Sequence, residues 1–233
     1  MNDPNRGLIT AAARLLEPIL GDLLFVGGCA TGLLITDRAA PQPRSTTDVD
    51  VIVNVTGRLQ FRELEGRIMA LGFIPDQSED APLCRFLSTD RLIALDVMPT
   101  DEAILGFGNP WYAPAMRHAL TYELTPNLSI QLISAPFFAA TKLDAFRGRG
   151  RGDYLASRDL EDFVTLVDGR SELAGELSAA PANLKAHVAR EVCSLLSNPD
   201  FEDALPGYLP PDTAGQGRLP TCLARLRALA GRP

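Results

Sequence analysis

The run at residues 49–55 (VDVIVNV), entered through Asp48 and carrying Asp50 inside it, constrains this 233-residue chain more than any other stretch. β-Branched residues at this density predict a strand. Asp48 and Asp50 lie two apart, so in a strand both side chains leave the same face. Two carboxylates held that close repel each other and persist where a cation lies between or near them. A hydrophobic strand with acid at its entry is therefore both a fold element and a candidate site.

The surrounding pattern alternates strands with helices. Leu8, Ile9, Ala12, Leu15, Leu16 and Ile19 recur at three- and four-residue steps and predict an opening helix that Gly21 ends. Residues 23–26 read as a buried strand closed by Gly27-Gly28, residues 29–35 as a short helix, and residues 39–47 (AAPQPRSTT) as a polar loop. Helical periodicity returns over 59–71. Strands are expected at 84–87 and 92–98 around the turn Ser88-Thr89-Asp90, and a second hairpin at 122–124 and 129–133 around Pro126-Asn127. From Ala135 the pattern is helical. Pro136 suits the first turn of a helix running through Phe146, the run at 147–152 (RGRGRG) interrupts it, and Ser157 is placed to cap a helix over 158–167. The expectation is an α/β (α+β) chain: a mixed sheet flanked by helices over 1–134, followed by a helical region over 135–233.

Composition narrows the function classes. An apolar fraction of 46% and a charged fraction of 22% exclude a wholly disordered chain. A net charge of −7 argues against a globally basic nucleic-acid binder, leaving Arg147, Arg149 and Arg151 as a local cationic patch. Four separated cysteines and two histidines, His118 and His187, do not suggest zinc or a disulfide framework. No stretch reads as a signal peptide or membrane span, so a cytoplasmic protein is expected.

A third carboxylate, Asp96, lies inside the apolar run 92–98, where a charge is costly unless paired or bound to metal. If its strand neighbours that of Asp48 and Asp50, three carboxylates converge. Such an all-oxygen set suits magnesium or manganese. Glycines between a strand and a helix, as at Gly27-Gly28, let backbone N–H groups approach phosphate oxygens.

Together these pieces resemble the nucleotidyltransferase superfamily of the polymerase-β type: a strand, a Gly-Gly turn opening a helix, Asp-x-Asp on the next strand, and a later carboxylate. Within that superfamily the sequence is most similar to the AbiEii/MenT-type toxins, through Gly27, Gly28 and Ala30, then Arg44, Thr46, Asp48 and Asp50, then Lys142 and the Arg158-Asp159-Leu-Glu-Asp162 stretch. The likeness covers residues 23–168. It departs in the glycine at position 28, where many relatives have serine, and in a longer loop before Asp48.

The resemblance implies a metal-dependent enzyme that moves a nucleoside monophosphate from a nucleoside triphosphate to an acceptor hydroxyl. Asp48, Asp50 and Asp96 would hold Mg2+ or Mn2+, with Asp96 also a candidate base. Gly27, Gly28, Arg44 and Thr46 would lie at the nucleotide, with Lys142 balancing phosphate charge. Asp159 and Asp162 share a helix face and would orient Lys142, contact base or ribose, or accept a proton. RNA, such as a tRNA end, is one acceptor class, drawn by the arginine patch. A cationic small molecule, as in aminoglycoside nucleotidyltransferases, is another, and charge does not choose between them. A cognate antitoxin is an expected partner, and a non-catalytic nucleotide- or partner-binding module is the remaining alternative. Plainer readings also stay open: an ion pair of Asp96 with Arg85 or Arg91, Lys142 as a surface residue, and Asp159 and Asp162 as helix-start charges.

Overall fold

A computed structural model describes residues 3–150 and 152–231. The chain divides into two compact units, one comprising residues 3–32 and 44–134, the other residues 33–43 with the chain from Ala135 onward.

The first unit is organised by a seven-stranded mixed sheet. Its strands are β1 (Leu23–Val26), β2 (Asp48–Val53), β3 (Phe73–Pro75), β4 (Arg85–Ser88), β5 (Ala94–Pro99), β6 (Leu120–Thr125) and β7 (Leu128–Leu132), in the order β3-β4-β5-β2-β1-β7-β6. β2 runs parallel to β5 and β1 parallel to β7, and the other neighbours are antiparallel. In the three middle strands Leu24, Phe25, Val49, Val51, Ile52, Leu95 and Val97 are fully buried. Helices α1 (Arg6–Leu15), α3 (Arg58–Ala70) and α4 (Tyr112–Arg117) pack on β2 and β7, on β3, and on β2 respectively, and α2 (Gly27–Leu34) leaves directly from β1.

Sequence periodicity carries the opening helix to Ile19 and ends it at Gly21, but α1 stops at Leu15 and residues Glu17–Asp22 form a 3-10 turn. Pro18 explains the difference: it has no N–H to donate, its ring crowds the carbonyl four residues back, and it disfavours α geometry at Glu17. β3 and α4, of three and six residues, are too short to show a period.

The second unit is helical: α5 (Ala135–Arg149), α6 (Arg158–Gly169), α7 (Leu173–Ala179), α8 (Ala182–Leu196), α9 (Pro199–Ala204), α10 (Thr213–Gln216) and α11 (Leu219–Leu229). α5 packs on α6, α7 and α8, and α11 packs on the same three. Residues Ala135 to Leu143 of α5 are buried without a break, so this central helix is enclosed on every side along that stretch, Thr141 and Lys142 included. The Arg/Gly run does not interrupt this helix where expected. Arg147, Gly148 and Arg149 form its last turn, where cations suit the negative end of the helix dipole. Arg151, the third member of the expected patch, lies outside the described residues. Ser157 does cap α6, accepting from the N–H of Leu160 at 3.3 Å.

Segment 33–43 is tied to the helices by charge. Arg218 Nε donates to both carboxylate oxygens of Asp168 at 2.9 and 2.7 Å, while its Nη2 donates to Asp37 at 2.7 Å. Asp168 is 1% exposed, so Arg218→Met would strand a buried charge. The expected cost is about 3–5 kcal/mol in denaturant unfolding, with the far-UV spectrum of the folded protein unchanged.

Candidate functional site

The chain passes from β1 into α2 with no residue between Val26 and Gly27. Gly27 has φ +69°, a left-handed conformation open chiefly to glycine. A Cβ there would lie 1.8 Å from Asp50 Oδ2, so the Asp50 carboxylate occupies the space a side chain would need. A Cβ on Gly28 would lie 2.5 Å from Arg44 Nη2 and 2.9 Å from Thr46 Cγ2. The two glycines thus let one acidic and one basic side chain approach the start of α2 closely. Gly27, Gly28, Arg44, Thr46 and Asp50, all singled out in the sequence, are brought together here.

The loop carrying Arg44 and Thr46 is held by Asn5, a residue the sequence reading does not single out. Its amide accepts from Thr46 N–H and donates to the Arg44 carbonyl, both at 2.9 Å, and the residue is 1% exposed. Asn5 stands just before α1, where its side chain would ordinarily cap the helix, yet it makes no capping bond there. Thr46 Oγ1 in turn donates to the Asp48 carbonyl at 3.0 Å.

The three carboxylates share one face of the sheet. Asp50 on β2 stands directly opposite Asp96 on the parallel neighbour β5, and Asp48 opposite Ala94. Residues in register on adjacent strands, and residues two apart along one strand, project to the same side. Arg85 on β4 stands opposite Asp96 from the other flank. Its Nε and Nη2 donate to the two oxygens of Asp96, and Nη2 also donates to Asp48 Oδ2, all three at 2.8 Å. The Asp96 hydrogen bonds, outweighing partial burial, hold the guanidinium above its ordinary pKa. Of the readings left open for Asp96, a pair with Arg85 is realised. Among the described residues no group of three or more His, Cys, Asp or Glu side chains is already arranged to hold a metal ion, and two of the three carboxylates expected to do so are engaged by Arg85.

Lys142, Asp159 and Asp162 meet inside the helical unit. Lys142 is 7% exposed, and its ammonium lies 2.6 Å from Asp162 Oδ2 and 3.4 Å from Asp159 Oδ1, with the Phe138 ring centroid at 5.5 Å. Arg149 adds a bidentate pair to Asp159, with both bonds at 2.8 Å. Burial works against the Asp159 charge, but Arg149 and Lys142 outweigh it and keep the carboxyl below its ordinary pKa. Lys142 is therefore not a surface lysine, and Asp159 and Asp162 do more than favour the helix dipole. Arg147 pairs with Glu191 at 3.2 Å.

Trp111 is buried, and His118 Nδ1 lies 3.0 Å from the Pro114 carbonyl. None of the four cysteines is in a disulfide. Burial, with Asp96 nearby, pushes the Cys84 thiol up to about 12, which keeps it protonated and unreactive. Among the described residues no helix is long and apolar enough to cross a membrane.

No protein-family model and no curated protein matches the sequence. Among solved structures the chain is similar to JHP933 from Helicobacter pylori. The identity is 11% and the TM-score 0.46, over 95% of this chain and 91% of that one.

Two outcomes test this geometry. Gly27→Ala combines a left-handed backbone with a clash against Asp50 and should cost about 1–3 kcal/mol or more in denaturant unfolding. A stability equal to wild type would mean that the turn at Gly27 is not as described. For Asp159 the folded pKa is depressed, so its contribution is full above the ordinary value near 3.8 and is lost as pH falls through the folded value. Asp159→Asn should therefore be less stable than wild type at neutral pH, and the gap should close as urea unfolding is repeated at steadily lower pH.

Proposed function

We propose that the chain is a metal-dependent nucleotidyltransferase, transferring a nucleoside monophosphate from a nucleoside triphosphate to an acceptor hydroxyl. The observation that carries this reading is the register of β2 and β5, which sets Asp50 beside Asp96 on the face that also bears Asp48. The close approach of Asp50 and Arg44 to Gly27-Gly28 supports it.

The donor chemistry fits a hard divalent cation. Asp48, Asp50 and Asp96 offer only oxygens, from two adjacent strands and one face, which suits Mg2+ or Mn2+ over softer metals. When bound, such a cation lowers the charge on the phosphates and favours ionisation of the acceptor hydroxyl. Arg44 supplies a guanidinium next to Gly28, suited to phosphate oxygens. The N–H groups left without intrahelical partners at the start of a helix such as α2 would suit the same anion. Asn5 fixes the loop from which Arg44 and Thr46 act, so the cationic group is placed before substrate arrives. The phosphate role that the resemblance gives Lys142 would require its ammonium to exchange Asp162 for phosphate.

A second reading, a nucleotide- or partner-binding module without catalysis, is favoured by the Arg85 bridge, which neutralises Asp48 and Asp96 as an internal ion pair does. One experiment separates the two. The purified protein is incubated with each α-labelled nucleoside triphosphate, Mg2+ or Mn2+, and either total RNA, protein extract or aminoglycosides. The enzyme reading expects label in one acceptor fraction and a fall of on the order of a hundredfold or more with Asp50→Asn, at an unchanged melting temperature. Labelled nucleotide retained by the protein, with no labelled product in any fraction, would establish the binding module instead.

A further inference from the structure

We infer that Arg85 is a built-in competitor for the divalent cation: its guanidinium closes the carboxylate set in the metal-free protein and must release Asp48 and Asp96 for the cation to enter. This rests on the enzyme reading only in its choice of cation.

Three features of the geometry lead to it. Arg85 reaches both oxygens of Asp96 and one of Asp48, so a single side chain satisfies carboxylates on two strands at once. Its position is fixed by the sheet, since β4 pairs with β5 and sets Arg85 opposite Asp96, directly across β5 from Asp50. The interaction is open at its Asp48 end, where the Arg85 side chain is 22% exposed and that of Asp48 30%, while that of Asp96 is 10% exposed. A partly solvated pair can open to water, whereas a fully buried one would leave stranded charges on opening.

Arginine suits such a role because its planar fork satisfies two carboxylates simultaneously. The same fork keeps three like charges tolerable on one face when no metal is present. The consequence is a cation affinity weaker than three carboxylates would otherwise give, because the ion must displace an internal counter-charge. Once displaced, the guanidinium is a free cation beside the triphosphate position, available to phosphate oxygens.

The test is direct metal binding by the full-length protein. Mn2+ titrations followed by electron paramagnetic resonance are run on wild type, Arg85→Gln and Arg85→Ala, with melting curves to confirm folding. Removing the competitor should tighten Mn2+ binding by about tenfold or more. Equal or weaker binding in both variants would overturn the inference. A second measurement needs no variant to fold. In wild type the Arg85 Nε–H resonance, protected by Asp96, should shift and exchange faster with solvent when Mg2+ is added, and a resonance indifferent to saturating Mg2+ would also overturn it. Nucleotide transfer is scored separately. Transfer activity with unchanged Mn2+ affinity in the variants defeats the competition alone, whereas tightened Mn2+ binding without any transfer defeats the enzyme reading alone.

Discussion

Carboxylates that must share one sheet face set the central electrostatic problem of the first unit. Asp50 and Asp96 stand in register on neighbouring parallel strands, and Asp48 precedes Asp50 on the same side. Like charges at that spacing oppose the pairing of β2 with β5, which hydrophobic burial of Val49, Val51, Leu95 and Val97 drives. A third strand delivers a cation to the conflict, Arg85, which offsets the repulsion at Asp48 and Asp96. Apolar content decides that these segments are strands, and charge decides which partners and register they can tolerate.

The helical unit repeats the device twice with a different balance. Lys142 and Arg149 hold Asp159 and Asp162, and Arg218 holds Asp168 and Asp37. There Asp159, Asp162 and Asp168 are almost fully enclosed, so breaking their pairs leaves a charge with no water to receive it. Around Arg85 the Asp48 end keeps access to solvent, although Asp96 is enclosed. That difference in enclosure separates an ion pair that fixes a fold from one that can exchange partners.

Much of this arrangement is legible in the amino-acid order because it is local. The alternation at β2, the glycines after β1, the Ser157 cap and the two hairpins each carry their own signal within a few residues. The site divides the same way: Asp48, Asp50, Gly27 and Gly28 are visible as motifs. Asn5 is not, since an asparagine before a helix reads as a cap, and only the return of the loop at residues 44–46 reveals its other use. Arg85 is half visible. A hairpin around residues 88–90 already places it near Asp96, but its reach to Asp48 depends on β5 lying against β2, a pairing across more than forty residues that no local pattern specifies. The helical run through Arg147 to Arg149 is hidden for another reason: glycine lowers helix propensity, yet Glu191 and Asp159 supply tertiary partners that outweigh it.

The placement of β1 carries a kinetic consequence. It lies between β2, which follows it closely in the chain, and β7, whose Gln131 pairs with Leu24. Closing so long a loop is entropically slow. As the chain emerges from the ribosome, β1 therefore keeps a bare flank until residues 128–132 have been made. Through that interval it is a hydrophobic strand open to wrong partners, the kind of exposed edge that chaperones exist to shield.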